Sequence, residues 1–152
     1  MASSQSIRTG IQAVLAIVIL ILGYVLYESI TEPYEAIQRQ EQMTEMTRQR
    51  MSDIRTALIQ FEQRNDSFPD SLDVLVNFLR QDSALMANQD SVFGHSVDLD
   101  SLLFSPRTGK PFQYAVNDTG RVETYLLQDP DSDDQVGTLS GDVTQTNAAT
   151  WE

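Results

Sequence analysis

The chain has no cysteine, one histidine and one lysine among 152 residues. Without thiols there are no disulfides, no thiolate metal centres and no cysteine nucleophile. A lone His95 excludes a multi-histidine metal site. Glycine is also scarce, with seven residues, and they form neither a phosphate loop nor a dinucleotide fingerprint. Serine and threonine are plentiful, but no Gly-x-Ser-x-Gly elbow or Ser-x-x-Lys spacing surrounds them. No catalytic residue and no cofactor-binding residue is therefore assigned, and the chain reads as a non-enzyme. Positive charge is short as well: ten Lys+Arg against 22 Asp+Glu leave −12. Such a chain repels phosphate backbones, which argues against nucleic acid as a partner.

One further absence is local. No acidic residue precedes Glu28, and Thr9 to Tyr27 is a run of 19 residues without any charge. As a helix this run spans roughly 28 Å, about the thickness of a bilayer's hydrocarbon core. Only Gln12 interrupts its apolar surface near the start, so a core helix with a polar stripe is a poor fit. The run exceeds a usual signal-peptide apolar region, and no small-x-small cleavage pattern follows Tyr27. Residues 1–28 are read as a cytoplasmic N-terminus and a transmembrane helix, with the lipid bilayer as first partner. Arg8 precedes the span while Glu28, Glu32 and Glu35 follow it, which favours an N-terminus in the cytoplasm. The expected location is a bacterial inner membrane, single-pass, with residues 29–152 in the periplasm. All 22 acidic residues and nine of the ten basic ones follow Tyr27, so that portion carries −13.

Residues 29–64 lack glycine and are rich in helix formers, which predicts a stem helix continuing from the span. Met51, Ile54, Leu58 and Phe61 recur at steps of three and four, the spacing of one helix face. Pro33 predicts a kink. A breaker cluster, Arg64 to Pro69, ends the stem, and a short helix is expected over 71–80 with Leu72, Leu75, Val76 and Leu79 inward. Residues 81–99 read as irregular, with His95 exposed in a polar loop. The period then changes: 102–104, 112–116 and 122–127 are short strand candidates, a meander over about 102–127. Arg107 and Lys110 lie in the turn between the first two and are expected to face solvent. Phe68, Phe112, Tyr114 and Tyr125 are candidate core. The predicted class is α+β, a long transmembrane-plus-stem helix packed on a short helix and a small antiparallel sheet. An acidic loop and tail, 128–152, complete it.

That tail carries the candidate ion site. Asp129, Asp131, Asp133 and Asp134, with Asp142 beyond, place alternate carboxylates along one loop, the oxygen-rich chemistry that calcium selects. The loop is no EF-hand, because the sixth position is Asp134 and the twelfth Ser140. The bland alternative is a solvated acidic loop.

The order of elements resembles the type IV pilin superfamily, especially the type II secretion pseudopilins. The resemblance rests on the span and stem, the turn Asn65-Asp66-Ser67-Phe68-Pro69, the segment Ser105-Pro-Arg-Thr-Gly-Lys-Pro-Phe-Gln-Tyr114, and Glu123 to Leu127 running into the aspartate-rich loop. Arg8-Thr9-Gly10-Ile11 is similar to the end of a prepilin leader, although the fifth residue after Gly10 is Leu15 where that family has glutamate. With Glu32-Pro33 and Asp53-Ile54-Arg55, the chain is most similar to single-pass, pilin-fold membrane proteins of Bacteroidetes-type bacteria. The resemblance implies a non-enzymatic structural subunit of an envelope or secretion-related assembly, meeting other membrane or pilin-like subunits through its N-terminal helix. It also implies a calcium-binding loop after the last strands. The alternative is a tethered periplasmic binding module, calcium-binding or not, that does not polymerise.

Overall fold

The computed structural model describes the backbone of residues 3–152 and the side chains of residues 8–28 and 34–152. The side chains of Ile30, Glu32 and Pro33, which belong to the expected stem, lie outside the described residues. The chain forms two compact units, Met1–Gln42 and Met43–Glu152. Helix α1, Ser3–Asn65, contributes to both and is assigned as helix through Pro33.

In the first unit the segment Arg8–Glu28 is the one helical stretch, among the described residues, long and apolar enough to cross a membrane. None of its side chains is buried within the chain, and isoleucine, leucine and valine are exposed on every face. In water that much bare apolar surface is unfavourable at roughly 25 cal/mol per Å². A bilayer removes the penalty.

The second unit is mixed helix and sheet. From Thr47 onward α1 buries Thr47, Met51, Ile54 and Leu58, at steps of four, three and four. Asp66, with φ 55°, ends the helix in a left-handed turn whose amide donates to Glu62 O at 2.8 Å. Helix α2, Leu72–Gln81, starts where the Ser71 hydroxyl accepts from Val74 N, and it buries Leu72, Leu75, Val76 and Leu79. Three strands follow, β1 Gln113–Asn117, β2 Thr124–Gln128 and β3 Gln135–Gly137, antiparallel in the order β1-β2-β3. Gln113 pairs with Gln128 and Asn117 with Thr124; Leu126 pairs with Gly137. Tyr125, Leu127 and Val136 enter the core beside Phe68, whose ring lies 4.8 Å from that of Tyr125.

Four expectations are corrected. Residues 102–104 form a turn with one bridge, Phe104 to Pro111, rather than a strand: Phe104 N donates back to Ser101 O at 3.2 Å, which closes the chain on itself. The third strand is β3, inside the expected acidic tail, and its outer edge is bridged by Ala149. Two short helices, α3 Ser83–Ala87 and α4 Gln89–Val92, occupy part of the supposedly irregular stretch. Asp82 caps α3 by accepting from Leu85 N and pairs with Arg64. Its carboxyl is held below the usual range, first by that backbone N–H. Tyr114 is half-buried rather than fully in the core.

Candidate functional site

The aspartate-rich segment is the connection of the β2–β3 hairpin, closed by Asp129 N donating to Asp134 O at 3.0 Å. It sits against two arginines, Arg48 and Arg107. Arg48, on α1, makes a bidentate contact with Asp134 through Nε (3.2 Å to each oxygen) and Nη2 (2.9 Å to Oδ1). The same guanidinium lies 5.6 Å over the Trp151 ring. Arg107 reaches the loop from the turn 105–110, which Ser105 N→Lys110 O and Gly109 N→Ser105 O close. Its Nε is 3.7 Å from Asp129 Oδ2, and its Nη2 is 3.4 Å from Asp134 Oδ2 and 3.1 Å from the Thr44 hydroxyl. Arg107 is thus not solvent-facing: its side chain is 19% exposed and that of Asp129 is 0% exposed.

The same turn holds Asp131. Lys110 Nζ donates to it at 2.7 Å, the Thr108 hydroxyl also donates, and together they keep its carboxyl below the usual range. Asp133 is exposed. Asp142 caps a separate 3-10 turn, Val143–Gln145, accepting from Thr144 N and its hydroxyl. The five carboxylates of the candidate ion site therefore do not converge. Among the described residues, no group of three or more His, Asp or Glu is placed to hold a metal ion. The physical reason is competition: Asp129, Asp131 and Asp134 already face cations of this chain, and a calcium ion would have to displace Arg48 and Arg107 from Asp134. Millimolar calcium is accordingly expected to leave the melting temperature unchanged in calorimetry. A rise with calcium would mean that the loop rearranges around the ion.

Two more contacts tie loops to the stem. Arg55 donates to Glu152 Oε1 at 2.6 Å and to Asn147 O at 3.1 Å, holding residues 147–152 near Tyr125, whose hydroxyl donates to Asn147 Oδ1. Asp53, also on α1, meets His95 Nε2 at 3.1 Å. His95 is therefore engaged rather than free in its loop. None of these partners had a local signal, since each pair is separated by tens of residues. Met51, on the predicted helix face, is buried, whereas Met43 and Met46 are exposed on α1.

What this arrangement does chemically is hold. It offers fixed charge pairs between the stem and the loops. No family model, no curated protein and no solved structure matches the chain.

Proposed function

We propose that the chain is a non-enzymatic, membrane-anchored structural subunit, pilin- or pseudopilin-like, of an envelope or secretion-related assembly. The observation that carries this reading is helix α1 itself. One assigned helix bears an unburied apolar span, Arg8–Glu28, and, further on, a face around which residues 43–152 build their core. An apolar helix with no partner of its own surrounds itself with lipid or with other helices. In this reading Arg8 stays on the cytoplasmic side and residues 29–152 are exported to the periplasm of the inner membrane. Tyr24 and Tyr27 suit the outer interface, where aromatic rings gather.

The absence of cysteine makes the test clean, because one introduced thiol is unique. Leu20→Cys, oxidised in native membranes, is expected to give disulfide-linked dimers, and sedimentation of the mildly solubilised unsubstituted chain species larger than a monomer. Monomer in both experiments would overturn assembly and favour a simple tether. N-terminal sequencing of the mature protein adds a second readout. A start at Ile11 would place it with processed pseudopilins, and an intact N-terminus with an unprocessed branch.

A further inference from the structure

Residues 88–97 meet the stem through the contact of His95 with Asp53. Phe93 and Val97 pack on the core, and Gln89 Oε1 accepts from Val97 N at 2.8 Å, closing the segment on itself. Gly94, with φ +80°, makes the turn that returns His95 toward α1. There the imidazole meets two oxygens: Nδ1 lies 3.1 Å from Phe93 O and Nε2 3.1 Å from Asp53 Oδ2. Asp53 Oδ1 accepts from Gln49 Nε2 at 3.2 Å.

A carbonyl and a carboxylate only accept, and a neutral imidazole has a single N–H. Neutral His95 beside ionised Asp53 therefore leaves one nitrogen lone pair facing an oxygen. One more proton removes the conflict in either of two arrangements. Imidazolium donates from both nitrogens, or Asp53 as the acid donates to Nε2 while Nδ1–H donates to Phe93 O. We propose that His95 and Asp53 form a proton-dependent clasp, which holds residues 88–97 on the stem while the proton is bound and releases them when it leaves.

The surroundings leave that proton to the pair. Arg50, a cation of the same helix whose charge acts on Asp53, donates to Phe104 O at 2.6 Å. Asp98, across the loop and facing Arg50, is kept below the usual carboxylate range by the Ser101 hydroxyl and Asp100 N–H, so it stays ionised. Burial pushes the Asp53 carboxyl above its ordinary value, against the opposing pull of Gln49, His95 and Arg50. The docked segment binds that proton more tightly than the released one. Docking is therefore favoured while the proton is bound and weakens as pH rises and the proton leaves.

The test is hydrogen–deuterium exchange on the full chain in lipid nanodiscs, corrected for the intrinsic pH dependence of exchange. Amides 93–97 are expected to open severalfold more at pH 8 than at pH 6, the direction that loss of a proton bound on docking requires. Amides 124–128 should not change, and His95→Gln should flatten the profile. Nitrogen-15 imidazole spectra should show Nδ1 protonated at pH 6, which both arrangements require. A flat exchange profile, the same slope in His95→Gln, or an unprotonated Nδ1 at pH 6 would overturn the clasp. Should His95→Gln fail to fold, the wild-type profile and the nitrogen spectrum still decide.

Discussion

Replacing Gly137 by alanine is expected to unfold residues 43–152 or to lower their melting temperature by more than about 10 °C. Gly137 closes β3 with φ +82°, a left-handed conformation that costs an L-residue about 1–2 kcal/mol. Strain is the smaller part. An added Cβ would sit 2.2 Å from Tyr125 O and 2.9 Å from Thr146 O, both backbone atoms with no free end to swing away. Relief means pulling β3 from β2 or breaking the Gly137 N→Ala148 O bond, and either opens the sheet over Tyr125. The combined loss should exceed about 3 kcal/mol, a large share of a typical domain's 5–15 kcal/mol. Gly141 is the control. Its φ is +75° but nothing lies within 4 Å of the added atom, so Gly141→Ala should show strain alone, about 1–2 kcal/mol. Thermal melts of both variants, followed by circular dichroism, check the contrast.

Arg107→Met is expected to cost about 3–5 kcal/mol, the usual penalty for leaving a buried charge without its partner. Asp129 bears the consequence. Its Oδ2 accepts from the Ser132 hydroxyl at 2.7 Å and Oδ1 is buried without a hydrogen bond; among the described residues Arg107 is the cation it pairs with. Asp134 would keep Arg48. The loss should fall largely on Asp129, and adding Asp129→Asn to Arg107→Met should recover more than half of it. Lost packing by the arginine stem would not be rescued that way. A double-mutant cycle from denaturant melts separates the two causes.

These two residues also mark the limit of what the chain discloses in one dimension. The span, the stem face and α2 were legible because each is periodic over neighbours: Met51, Ile54 and Leu58 on α1, Leu72, Leu75 and Leu79 on α2. Strands β1 and β2 announced themselves as aromatic and β-branched runs around Asn117-Asp118-Thr119-Gly120. Strand β3 did not, because Val136 is its only large apolar residue and its place comes from backbone pairing with β2 and Ala149. The aspartates were legible as a cluster, but not as a hairpin loop. Their chemistry was set by Arg48, 86 positions away, and by Arg107, 27 positions from Asp134. Likewise His95 and Asp53 lie 42 positions apart, and only the fold brings them together. A surplus of carboxylates in sequence reads as an ion site. In the fold it is first a demand for arginine.

The claim on which the functional reading depends is that Arg8–Glu28 crosses a membrane and leaves the folded unit on the far side. Single-thiol labelling of the cysteine-free chain in intact bacteria with a permeabilised outer membrane tests it directly. Thr119→Cys, exposed in the β1–β2 connection, is predicted to react with a membrane-impermeant maleimide. Ser4→Cys should react only after the inner membrane is lysed, with both variants in the carbonate-resistant membrane pellet. Protein extracted by carbonate, or Thr119→Cys protected until lysis, would contradict the account.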